Sequence, residues 1–199
     1  MSKGAETREA VLSEALAQSS RVGLRGITIG SLADSMGMSK SGLFAHFGSK
    51  EGLQVAVLDH AADHFSRLVV RPALREPRGE PRLRKLFERW MGWGGYSDYA
   101  LPGGCIFVAV ASEYDDEPDG TVRDKVVQTE RDLLDTIETI VRGGVAEGQF
   151  REDADAQAFA QDLLAIMLGY AFAARLLRDD AAAGRTEASF ERLLDHIRA

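Results

Sequence analysis

The chain has a single cysteine, Cys105. It therefore cannot close an intramolecular disulfide or build a multi-cysteine zinc site. No run approaches 18 uncharged apolar residues; the stretch 163–174 is only 12 long and rich in alanine and glycine. That argues against a membrane span. The amino-terminal MSKGAETREAVLSEAL carries three glutamates and no long apolar segment, so it is not a secretory signal and a cytoplasmic location is expected. Alternating apolar and polar runs are scarce, which leaves little basis for strands. Prolines number five and cluster in connectors: three within 71–81, one in the LPGG turn at 101–104 and one in DDEPDG at 115–120.

What is present is ample for a folded core. The 199 residues are 45% hydrophobic and 28% charged, ordinary for a globular protein. The net charge of −7 is unevenly spread. Residues 1–50 carry six Lys/Arg and four Asp/Glu, whereas 51–199 carry 18 and 27. A basic head on an acidic body suits a protein whose head alone meets a polyanion.

Helical spacing dominates and predicts an all-α fold of about nine helices. The first is expected over 7–21, the second over 29–36 behind a Thr28 cap and before a Gly37 stop. A third follows Ser39 to about residue 46. A fourth, behind Ser49, is expected over 50–70 and to end before Pro72. Others are expected over 83–96, 105–113, 121–146, 156–178 and 186–198. The predicted division is a helix-turn-helix head at 1–50 and a larger helical body at 51–199.

Two short helices joined by a tight turn, after a longer one, form the pattern of a helix-turn-helix. Ala33 is small at the crossing, Gly37 lies at the turn and Leu43 faces inward. Leu32, Met36 and Met38 can close a small core with Val11, Leu12, Leu16, Leu24 and Ile27. The outward residues of the third helix are then Ser39, Lys40, Ser41, Gly42, Ala45 and His46. Small and polar side chains let a helix enter a major groove about 12 Å wide.

Residues 28–53, TIGSLADSMGMSKSGLFAHFGSKEGL, closely resemble the DNA-binding segment of TetR/AcrR-family transcriptional regulators. The matching positions are Thr28, Leu32, Ala33, Gly37, Ser39, Leu43, His46, Phe47, Ser49, Lys50, Glu51 and Leu53. The resemblance implies phosphate contacts from Thr28, Ser39, His46 and Lys50. It places Lys40, Ser41, Gly42 and Ala45 at base-reading or groove-facing positions. Phe44 stands where the family usually has tyrosine, so a phenolic phosphate contact is lost.

The same resemblance implies a homodimer, double-stranded operator DNA and a small-molecule effector as partners. No cofactor, metal or catalytic group is expected, and the chain is read as a repressor rather than an enzyme. A helical protein-binding adaptor and a small helical enzyme remain the alternatives. In the helix at 156–178, Ala165, Gly169 and Ala173 recur every four residues, a stripe that permits close helix approach. With Phe159, Leu163, Ile166, Phe172 and Leu176, the stripe is the expected dimer face. The expected effector pocket is largely apolar, lined by Trp90, Trp93, Tyr96, Cys105 and Phe107, with Glu113, Gln128 and Tyr170 as polar candidates. His60 and His64, one helical turn apart, are expected on an exposed face. The loop from Asp115 imitates the start of a calcium loop, but Val126 occupies the twelfth position, where a bidentate glutamate is required.

Overall fold

The structure is a computed structural model and describes residues 3–199. Among the described residues there is no named strand, only an isolated bridge between Phe150 and Arg198. The helices are α1 (Lys3–Val22), α2 (Ile29–Met36), α3 (Lys40–Phe47), α4 (Lys50–Phe65), α5 (Arg71–Leu74), α6 (Glu80–Gly94), α7 (Ile106–Tyr114), α8 (Thr121–Ala146), α9 (Ala156–Ala171) and α10 (Ala182–Ile197). A π-helical turn (Ser66–Val70) joins α4 to α5 without a break, and another (Phe172–Leu176) extends α9. Counted as continuous runs, these are the nine expected helices.

The chain divides into two compact units. One holds the chain as far as His64 together with Leu101–Thr129; the other holds Phe65–Ala100 and Glu130–Ala199. The units do not follow the expected division at residue 50. In the first unit α1 packs on α2 and α7, and α2 packs on α3. Its core contains Val11, Leu12, Leu16, Leu24, Ile27, Leu32, Ala33 and Leu43, all buried, whereas Met36 and Met38 are half-buried. In the second unit α9 lies against α6 and α10. Phe87 and Phe190 stack in parallel at 4.0 Å between centroids, and Phe65 meets Trp90 and Trp93 edge-on.

Three helix ends depart from expectation for identifiable reasons. The fourth helical run passes through Pro72 to Leu74 instead of ending before it. Proline has no N–H to offer a carbonyl one turn back; here the Leu68 carbonyl accepts Arg89 Nε at 2.7 Å instead. α10 begins at Ala182, ahead of the expected 186, because its N-cap is Ala181 and supplies no side-chain signal. The Asp179 carboxylate takes the Ala181 N–H from outside the helix. Finally, α9 does not run as one α-helix to 178. Its last turn widens, and Arg178 ends it with a positive φ of 52°.

Candidate nucleic-acid interface

The head is built from short helices with strong end signals. Thr28 Oγ1 accepts the Ser31 N–H at 3.0 Å, and Ser31 Oγ accepts the Thr28 N–H at 3.2 Å. This reciprocal pair is a capping box, here with serine at its third position. Gly37 closes α2 in the left-handed region, φ 64°, which glycine adopts without the steric cost other residues incur. Ser39 Oγ then caps α3 by accepting the Gly42 N–H at 3.1 Å. Ser49 Oγ does the same for α4 with the Gly52 N–H at 2.9 Å.

These caps hold α3 with Leu43 inward and fully buried. Lys40, Ser41, Phe44 and Ala45 are exposed, while Gly42 and His46 are half-buried. The His46 ring lies tilted against Phe47, 6.2 Å between centroids. Phe47 in turn carries the Arg8 guanidinium 5.4 Å from its centroid. Lys40 does not extend away from the body of the head. A side-chain carbon added at Gly30 would lie 3.6 Å from Lys40 Nζ and 3.7 Å from Thr28 Oγ1. The ammonium and the capped start of α2 therefore converge on one spot. A helix N-terminus beside a cation is a natural site for an anion.

The loop between α1 and α2 is gripped from both sides. Glu113 Oε2, on α7, accepts the Leu24 N–H at 2.9 Å and the Arg25 N–H at 3.2 Å. From α4, Gln54 Nε2 donates to the Leu24 carbonyl at 3.1 Å and Lys50 Nζ to the Arg25 carbonyl at 2.7 Å. Arg25 itself pairs with Glu117 and lies over the Tyr114 ring at 5.0 Å. Its guanidinium pKa is raised by the Glu117 hydrogen bond. Burial pushes the Tyr114 hydroxyl above its ordinary value. The turn before α7 is docked as closely: Gly103 donates its N–H to Ser20 Oγ at 2.9 Å. A side chain at Gly103 would collide with the Ser20 backbone.

The expected pocket residues are divided between the two units. Trp90, Trp93, Tyr96 and Tyr170 belong to the second unit, and Cys105, Phe107, Glu113 and Gln128 to the first. Glu113 is a correction, since its carboxylate holds backbone amides of the head. Gln128 is exposed. Tyr96 is 71% exposed, under the Arg175 guanidinium at 4.9 Å. Trp90, Trp93 and Phe107 are buried, and Cys105 is the half-buried N-cap of α7. Tyr170 is buried against Gly94 and Gly95, and burial raises its hydroxyl pKa. One carboxyl escaped the sequence reading: Glu130 on α8, half-buried and pushed up by desolvation. Nothing in its neighbours' pattern marks it.

The expected dimer face needs a similar correction. Phe159 and Leu163 point into their own protomer, 2% and 0% exposed. Ala165, Gly169, Phe172 and Leu176 are exposed; Ile166 and Ala173 are half-buried. Leu168 is exposed with them. Histidine 60 is also corrected: it is 9% exposed, 3.3 Å from Ser13 Oγ, with the Glu9 carboxylate 3.7 Å from its Nδ1. Among the described residues no cluster of three metal-binding side chains occurs.

The sequence model of the tetR family of bacterial regulatory proteins matches residues 11–57, and that of the tetracyclin repressor-like C-terminal domain matches residues 79–190. No curated protein sequence matches the chain. Among solved structures, a TetR transcriptional regulator from Chloroflexus aurantiacus is 28% identical, with a TM-score of 0.85, covering 100% of this chain and 99% of its own. A TetR-family regulator from Cytophaga hutchinsonii shares the fold at 20% identity and a TM-score of 0.86, covering 100% and 98%. One from Agrobacterium tumefaciens does so at 21% and 0.82, covering 99% and 100%. A capped helix-turn-helix head matched by one family model, and a helical body matched by another over more than half the chain, place this protein in the TetR family of transcriptional regulators.

Proposed function

We propose that the protein is a dimeric, effector-responsive repressor, with one head per half-site of a near-palindromic operator. The observation that carries this reading is the outward face of α3. It is anchored by buried Leu43, and its exposed residues other than Lys40, namely Ser41, Phe44 and Ala45, are uncharged. Beside it, Lys40 Nζ and the capped start of α2 converge as a seat for a DNA phosphate. Lys40 is thus read as a phosphate ligand rather than a base reader. Lys50 keeps donors beyond the one given to Arg25 and serves a neighbouring phosphate.

The second copy covers the exposed face of α9. The 21-residue run Ala156–Leu176 is long and apolar enough to cross a membrane by length and composition. It nevertheless contains Asp162 and Arg175. Phe172 and Leu176 are 56% and 67% exposed, flanked by Ala165 and Gly169. Small residues beside large apolar ones favour close packing against another helix, and this reading suits a cytoplasmic dimer. An effector of largely apolar character would act only by differential affinity for two head arrangements, since equal affinity shifts nothing. The Glu113 grip on the α1–α2 loop gives α7 a direct hold on the head.

The test is a mobility-shift titration against the DNA upstream of the protein's own gene, at rising salt. Affinity should fall with a steep log–log salt slope. Lys40→Ala should weaken specific and unrelated duplexes alike and reduce that slope by about one per head. Binding that ignores both sequence and salt would refute the reading.

A further inference from the structure

We infer that Phe44 reads thymine through its C5-methyl group, and so sets one position of the operator half-site. The inference rests on the DNA-binding reading and goes beyond it to the base recognised. Phe44 is 54% exposed on α3, immediately after the fully buried Leu43 that fixes the helix's rotation. Ser41 and Ala45, three residues before and one after, are exposed with it. Lys40, the one lysine or arginine on α3, has its ammonium beside Gly30 and Thr28. Ser41 Oγ lies 3.4 Å from Ser39 Oγ. Apart from Lys40 and the half-buried His46, whose ring lies against Phe47, the outward residues Ser41, Ala45 and Phe44 offer a hydroxyl, a methyl and an aromatic ring.

The base edges of the major groove are almost wholly polar. Guanine shows two acceptors, cytosine a donor, adenine one of each, and thymine an acceptor with a methyl. A phenyl ring laid on a polar edge displaces water and returns no hydrogen bond, which is unfavourable. Only thymine presents an apolar group. Phe44 therefore selects thymine both by burying its methyl and by penalising the other three edges. The other large apolar side chains of α3 are Leu43, fully buried, and Phe47, half-buried beneath the Arg8 guanidinium, so Phe44 is the most exposed of them.

The experiment begins with selection of duplexes from a random pool by the full-length protein. The enriched sites should share a thymine at the same place in each half-site. Replacing that thymine by deoxyuridine removes only the methyl. Wild-type affinity should then fall about fourfold for one half-site and roughly fifteenfold for both, from one buried methyl per half-site. Phe44→Ala, at an exposed site that leaves the fold intact, should bind thymine and deoxyuridine duplexes equally. Phe44→Tyr provides a second variant that keeps the ring. Enriched sites with no methyl-sensitive thymine overturn the inference and leave DNA binding standing. Equal deoxyuridine sensitivity in Phe44→Ala assigns the methyl to another residue and also overturns it. Failure to enrich any sequence overturns the DNA-binding reading itself.

Discussion

The two compact units are held together by different chemistry. In the first, side chains grip backbone: Glu113, Gln54 and Lys50 hold the amides and carbonyls of residues 24 and 25, and Ser20 takes the Gly103 amide. In the second, rings stack and charges pair. Phe87 lies on Phe190, and Glu80 bridges Arg84 and Arg198 while Arg84 reaches Glu191. The contrast follows from element length. The 8-residue α2 and α3 bury too few side chains to stand alone, so caps and loop clamps supplement their small core. The 15- and 16-residue helices of the second unit bury broad apolar faces, to which side-chain contacts with backbone, such as Arg89 to the Leu68 carbonyl, are an addition.

The sharpest way to break the contrast is to remove a ring. Phe190→Ala should cost about 4 kcal/mol and lower Tm by roughly 8–16 °C in a thermal melt. A loss under 1 kcal/mol would mean that stacking does not hold the second unit. Next comes the clamp. Glu113→Ala leaves two amides without their charged acceptor and should cost about 2 kcal/mol. Hydrogen exchange should accelerate at Leu24 and Arg25 but not along α10. Unchanged protection at those amides would show that the grip is idle.

The smallest effect concerns pH. The Arg198 hydrogen bond, with that of Arg84, holds the Glu80 carboxyl at about 2, below its ordinary 4.5. Glu191 is lowered by the same Arg84. A depressed folded-state pKa stabilises above the unfolded value and is lost as pH falls from 4.5 towards 2. Glu80→Gln should therefore cost about 1 kcal/mol at neutral pH, the partners being part-exposed. The gap from wild type should close by pH 2 in acid titrations followed by circular dichroism.

Much of this was legible from residue order alone. Thr28, Gly37, Ser39 and Ser49 declare helix ends through their own short-range chemistry, and the Leu43 spacing declares which side of α3 turns inward. Long-range choices were not. Glu113 reads as one more pocket candidate, because nothing local shows that its carboxylate reaches amides 89 and 88 residues away. Phe159 and Leu163 share the apolar periodicity of Phe172 and Leu176, yet the first two turn inward and the last two outward. Periodicity identifies an apolar face but not what covers it. His60 is buried for the same reason: its spacing to His64 says nothing of Ser13 and Glu9 on α1.

Residue order by itself determined the capped helix-turn-helix, its outward α3 surface and the all-helical plan, because capping and helical spacing act within a few residues. Tertiary structure alone decided where Lys40 points, what Glu113 holds and which apolar side chains of α9 stay exposed. Those depend on contacts between segments far apart in the chain, whose proximity only the folded packing establishes.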